Sequence, residues 1–260
     1  MIIDFHTHYS EGQGPIEGML AAMDEQGVGM AVVSAVVTPG GDNGLAANDF
    51  VYRAVQAFSS RLAGLACVVP YASDAAELLG HYVDNLGFRG LKLHPSMQEF
   101  YPSDQRIYPL IEKAIELDVP VLIHTGAVPI PGTRSRYDDP LEVDDLALVY
   151  PAAKLVIAHG DPFGPAPAIA GKHPNVYMDT TTTFARFCKL IPGLGEDTLK
   201  FMGLVSGESG SSKVLFGTDA NPAKPFRIEE NLAPLQALDI PHEEKNQILG
   251  GNAARLLKLA

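Results

Sequence analysis

The chain has 260 residues, 46% of them hydrophobic and 19% charged, with a formal net charge of −12. That length and composition fit one large α/β domain with a sizeable core and exclude a disordered chain. Lys and Arg form no basic run, so nucleic acid and anionic membranes are poor partners.

Cys67 and Cys188 are the only cysteines, which leaves no disulfide framework and no Cys-rich zinc motif. The start lacks the features of a signal peptide, and no apolar run reaches bilayer length. A cytoplasmic location is expected.

Eight apolar, β-branched segments read as strands, at 2–5, 30–36, 62–69, 88–94, 119–124, 154–159, 175–179 and 213–217. Amphipathic stretches alternate with them at 16–25, 45–58, 74–86, 105–117, 141–150, 166–172, 184–205 and 226–237. The strands are continuous apolar runs, as in a parallel sheet covered on both faces. They recur at roughly the 30-residue length of a βαβ unit. The pattern predicts a single-domain (β/α)8 TIM barrel over 1–260, with two short helices in 241–260 closing its bottom or side. A doubly wound sheet is less favoured, because no Gly-x-Gly-x-x-Gly follows the first strand. Ser73-Asp74 and Ser103-Asp104 suit helix starts, and Pro140 suits a first turn.

The chemistry begins in the first strand, where one residue separates His6 from His8. Strand side chains alternate, so both imidazoles share a face. His94, His124 and His159 also stand at the carboxyl ends of predicted strands, and Asp219 follows the eighth. In a barrel these ends converge on one mouth, where active sites lie. Imidazole and carboxylate together suit a divalent metal, Zn2+ first, with Mn2+, Fe2+ or Co2+ also admitted.

His6-Thr7-His8, Gly90-Leu91-Lys92-Leu93-His94-Pro95, Leu122-Ile123-His124-Thr125-Gly126, Val156-Ile157-Ala158-His159-Gly160 and Phe216-Gly217-Thr218-Asp219 together resemble the amidohydrolase superfamily. Gly251-Asn252-Ala253-Ala254-Arg255-Leu256 extends the resemblance almost to the end of the chain. The likeness is greater to the branch of amidohydrolase-related proteins that holds aminocarboxymuconate semialdehyde decarboxylase, γ-resorcylate decarboxylase and pyrone-dicarboxylate lactonase. It implies His6, His8, His124 and Asp219 as metal ligands. It implies His159 as an acid/base or carbonyl-polarising group, and Asp219 as the proton acceptor for a metal-activated water. In binuclear relatives a carboxylated lysine at the fourth strand bridges two metals. Lys92 stands near that place, although an internal ion pair or a substrate contact is favoured for it.

Lys92, His94, Arg134 and Arg136 are candidate substrate-binding residues. The two arginines offer bidentate contacts to a substrate carboxylate, against pairing with Asp138 or Asp139 on a solvated loop. Thr180, Thr181, Thr182 and Thr183 follow the seventh strand and are placed to line the pocket. Asp4 reads as a barrel-interior carboxylate, and His81, His173 and His242 as surface residues. The leading function is metal-dependent hydrolysis of a small lactone, amide or related carbonyl compound. The alternative is non-oxidative decarboxylation of a small, carboxylated, often aromatic molecule. The expected partner is a small-molecule substrate, and a homo-oligomer is left open.

Overall fold

The computed structural model describes residues 1–39 and 42–259. Its strands are β1 (Ile2–His8), β2 (Val28–Ser34), β3 (Leu62–Ala66), β4 (Gly90–Leu93), β5 (Pro120–Ile123), β6 (Lys154–Ile157), β7 (Val176–Asp179) and β8 (Val214–Leu215). They form one parallel sheet in sequential order. β8 is only two residues long, so the segment after it completes the circle. Phe5 N–H donates to Phe216 O (2.8 Å), His8 N–H to Ala220 O (2.9 Å), and Asp219 N–H returns to His6 O (2.8 Å). The expected eight-stranded barrel is present.

The helices are α1 (Glu17–Gln26), α2 (Leu45–Ala57), α3 (Ala75–Gly80), α4 (Pro95–Gln98), α5 (Tyr108–Glu116), α6 (Leu141–Val149), α7 (Ala166–Lys172), α8 (Thr183–Leu190), α9 (Leu194–Ser206), α10 (Arg227–Gln236), α11 (His242–Asn246) and α12 (Asn252–Leu257). Two main apolar cores result among the described residues, beside a small cluster of Val37, Cys67 and Val69. The larger lies between sheet and helices and holds Val33, Leu91, Val121, Ile157 and Met178. The smaller fills the barrel with Phe5, Val32, Leu65, Leu122, Val156 and Leu215, and Ala253, Leu256 and Leu257 of α12 pack against it. The C-terminal segment therefore plugs the barrel's lower end, as anticipated.

Register places the first two histidines. Asp4 pairs with Ala31 and Thr7 with Val33, so β1 spends three residues where β2 spends two. Such a bulge shifts the facing of all that follows. Phe5 belongs to the barrel-filling core, and His6 and His8 also face inward above it.

Some predicted boundaries are wrong for identifiable reasons. The stretch 184–205 is two helices, because Pro192 and Gly193 interrupt it and Gly193 takes φ 83°. Cys67, Val68 and Val69 are buried but extend no ladder, since side chains take their backbone groups. Asn48 bonds both Cys67 O and Cys67 N–H, Gln98 donates to Val68 O, and Asn43 accepts from Val69 N–H. Asp104 caps a turn by accepting from Arg106 N–H (2.9 Å), whereas Asp74 binds the Asn43 amide (2.8 Å) and leaves α3 uncapped. His173 is buried rather than superficial, and its Nε2 lies 2.6 Å from Asp144 Oδ1. Among the described residues, no helix is long and apolar enough to cross a membrane.

Candidate metal centre and cleft

The carboxyl ends of β1 and β8 meet in three potential ligands. His6 Nε2 lies 3.3 Å from His8 Nε2, which lies 3.2 Å from Asp219 Oδ1. Each of the three residues offers a ligand atom within 4.8 Å of those of the other two. The opposite ring nitrogens are already engaged. His6 Nδ1 is 2.7 Å from Asp179 Oδ2, and His8 Nδ1 is 3.3 Å from Ser34 O. Acceptors at Nδ1 hold the proton there and leave an Nε2 lone pair facing the centre. Two imidazole lone pairs and a carboxylate oxygen at this separation fit a divalent cation with open coordination positions.

Burial, aided by the nearby Lys92 charge, drives the His6 pKa well below that of free imidazole, which favours the neutral ligand form. Burial alone would raise Asp219, but the His8 hydrogen bond and the neighbouring imidazoles outweigh it and hold the carboxyl far below its usual range. Arg227 adds an ion pair to Asp219 Oδ2 and a 2.9 Å bond to Asp219 O. Asp179 is fully buried and pushed up by that burial. Its Oδ1 accepts from the backbone N–H groups of His159 (2.8 Å) and Thr181 (3.0 Å). One carboxylate thus fixes a β1 ring and two strand-end turns.

His159 sits beside this centre, with its ring centroid 5.0 Å from that of His6 and 4.6 Å from that of His124. Its Nδ1 is 3.3 Å from Thr182 Oγ1. His159, Thr182 and Asp219 have φ of 58°, 51° and 57°. Left-handed backbone costs a non-glycine residue on the order of 1 kcal/mol, and such strain gathers where side chains must be aimed.

His124 forms a different grouping. Its ring stacks on His94 with centroids 3.9 Å apart and planes 11° from parallel. His124, His94 and Asp138 each present a ligand atom within 4.8 Å of the others. Burial lowers the His94 pKa to about 2 and raises that of Asp138 to about 6. Lys92 is wholly buried under the centre, with Nζ 3.0 Å from His6 Nε2, and burial lowers its pKa to about 8.

Above these groups opens a cleft of about 900 Å3, whose lining includes His8, His94, His124, His159 and Asp219. Thr182 and Thr183 line it, while Thr180 and Thr181 are buried, with Thr181 Oγ1 3.2 Å from His6 Nδ1. Lys92, Arg134 and Arg136 do not line it. Arg134 reaches the Tyr137 hydroxyl (3.5 Å), and Arg136 lies over Tyr137 and Tyr101, so neither pairs with Asp138 or Asp139. The cleft's basic groups are instead Arg186, Lys189, Lys224 and Arg227, set against the carboxylates of Asp219 and Glu230. Arg186, Lys189 and Lys224 make no ion pair among the described residues. These four cations escaped the sequence reading. Their one visible signal is i, i+3 spacing just beyond the seventh and eighth strands.

A family model described as amidohydrolase matches residues 3–259. The chain belongs to the amidohydrolase 2 family. A 2-keto-4-carboxy-3-hexenedioate hydratase from Sphingobium sp. (strain NBRC 103272 / SYK-6) is 25% identical, over 91% of this chain and 80% of that protein. Among solved structures, a dihydroxybenzoic acid decarboxylase from Polaromonas sp. JS666, with bound manganese and 2-nitroresorcinol, superposes with a TM-score of 0.77. It is 19% identical and covers 99% of this amidohydrolase-family chain and 97% of its own. 4-Oxalomesaconate hydratase from Rhodopseudomonas palustris superposes at 0.68 with 22% identity, covering 99% and 96%. At these identities the structural likenesses speak to the fold.

Proposed function

We propose that this amidohydrolase-family chain is a metal-dependent lyase acting on a small, unsaturated molecule that carries more than one carboxylate. The observation that carries the reading is the meeting of a His-His-Asp ligand set with an arc of four cations in one cleft of an otherwise acidic chain. Of the three similar proteins named above, two are hydratases and one is a decarboxylase, which favours lyase chemistry over the hydrolysis expected from sequence.

His6, His8 and Asp219 would hold the cation, with His124 as a fourth protein ligand when a single ion is bound. When bound, a divalent cation supplies Lewis-acid polarisation of a substrate carboxylate or carbonyl oxygen. Zn2+ suits these donors, and the manganese in the decarboxylase structure makes Mn2+ an equal choice. Asp179 and Ser34 keep the two rings oriented. Arg186, Lys189 and Lys224 receive the remote carboxylate, and Arg227 keeps Asp219 ionised and in place. His159, with Nδ1 beside Thr182, carries the mobile proton on Nε2. In decarboxylation the C–COO bond breaks, its electron pair stays on carbon, and that carbon takes the His159 proton as CO2 leaves. In hydration Asp219 accepts a proton from water as the C–O bond forms, and His159 protonates the neighbouring carbon.

The test is a panel of dihydroxybenzoates and unsaturated oxo-dicarboxylates and tricarboxylates, assayed with Mn2+ or Zn2+. CO2 release, or loss of conjugated absorbance with incorporation of water oxygen, supports the lyase reading and identifies its branch. Turnover confined to lactones or amides overturns it.

A further inference from the structure

We propose that Thr182 and Asn231 are positioning residues that together hold the His159 ring with its proton on Nε2. The inference rests on the reading of His159 as the proton donor. Thr182 has φ 51° and ψ −57°, far from the left-handed helical well and close to the centre of a classic γ-turn. Thr183 N–H donates to Thr181 O and closes that turn across it. Turns of this hand are rare and strained, and a positive φ is an outlier for a β-branched residue. Such a conformation persists only where the surroundings over-determine it.

Two helices supply that constraint. Asn231 on α10 is 4% exposed, and its Oδ1 accepts Thr182 N–H (2.7 Å). Its Nδ2 donates to Arg227 O (2.8 Å), which fixes the amide's orientation. Thr182 O in turn accepts Arg186 N–H (3.0 Å) at the start of α8. With both backbone groups of Thr182 taken, its side chain has one direction left. Thr182 Oγ1 lies 3.3 Å from His159 Nδ1, its one hydrogen-bond partner among the described residues. A hydroxyl rotates to suit its partner, and this one faces a ring nitrogen with no competing acceptor. It therefore donates to Nδ1 and leaves the imidazole proton on Nε2, the nitrogen remote from Thr182. Asp179 Oδ1 holds His159 N–H separately (2.8 Å), so backbone and ring have independent anchors. Thr182, His159 and Asn231 all line the cleft, which places this clamp beside the substrate.

NMR of the Zn2+-loaded protein with 15N-labelled histidine, at neutral pH, tests this. Ring-nitrogen shifts separate protonated, hydrogen-bonded and free nitrogens. Loss of signals in His159→Gln assigns His159, and circular dichroism checks folding. Wild type and Thr182→Ser are expected to carry the proton on Nε2 with Nδ1 hydrogen-bonded. Thr182→Val and Asn231→Ala are expected to lack that bond. A wild-type proton on Nδ1, or a folded Thr182→Val with the wild-type His159 signals, overturns the inference. On a carboxylate that is turned over, Thr182→Val should lower kcat roughly 10–100-fold with little change in KM, part of the ~10²–10⁴ that a positioned proton donor contributes, and Thr182→Ser should recover most of it. An unchanged kcat in Thr182→Val also overturns the inference. Turnover confined to lactones or amides, with the expected spectra, overturns the lyase reading and upholds the clamp on His159.

Discussion

Asp179→Asn isolates the carboxylate that orients His6. In the native chain Asp179 Oδ2 faces His6 Nδ1 at 2.7 Å, and both side chains are fully buried. The carboxylate accepts the Nδ1 proton, and the Nε2 lone pair turns toward His8 and Asp219. An Asn carbonyl can still serve His159 N–H and Thr181 N–H, which both use Oδ1. Its amide then donates to His6 Nδ1 and moves the imidazole proton to Nε2, where it blocks coordination. Loss of such a supporting partner typically costs 10–100-fold in metal affinity, or about 1.4–2.7 kcal/mol. We predict a loss in that range, read by competition against a chelator at neutral pH with Zn2+ or Mn2+. Size and backbone contacts are conserved, so circular dichroism should be unchanged. Affinity within twofold of wild type would refute the tautomer argument.

Four other outcomes follow from the same geometry. Arg186→Ala and Lys224→Ala should each raise KM for a polycarboxylate by roughly 10–100-fold with little change in kcat, since hydrogen bonds to charged groups are worth about 1.5–3 kcal/mol; an unchanged KM in both would remove them from the substrate subsite. Saturating metal at about 100 times its Kd should stabilise the fold by about 2.7 kcal/mol, and EDTA should reverse the rise in Tm. Leu256→Ala, in the plug under the barrel, should cost about 2–5 kcal/mol in denaturant unfolding, and a cost below 1 kcal/mol would contradict that packing. Asp144 is partly desolvated, yet its bonds to Lys172 and His173 lower its pKa, so its stabilisation is present above the unfolded value of 3.8 and fades as pH falls through the folded one. The stability gap between wild type and Asp144→Asn should accordingly be open at pH 7 and narrow below pH 3.8; a gap independent of pH would contradict it.

The barrel was legible because its signal is repetitive: eight apolar runs, each followed by an amphipathic stretch. That His6, His8 and Asp219 come together was legible because strand ends converge whatever the exact boundaries. What the sequence concealed depends on contacts between distant segments. The bulge between Asp4 and Thr7 cannot be read from alternation, because it is set by register against Ala31 and Val33. Pro192-Gly193 was visible, but the amphipathic pattern continued across it and suggested one helix. Asp138 looked like a partner for loop arginines, since nothing local says that Ser96 N–H will capture it. The cations of the cleft were missed because Arg186 and Lys189 lie in an amphipathic stretch whose pattern does not say what its polar face meets. Only the closure of β7 and β8 against β1 brings them over Asp219.

Anomalous diffraction at the manganese edge, from crystals grown with Mn2+, tests the central claim most directly. The account predicts a peak about 2.0–2.4 Å from His6 Nε2, His8 Nε2 and an Asp219 carboxylate oxygen, at the floor of the cationic cleft. A fully loaded crystal with no peak among those three atoms would contradict it.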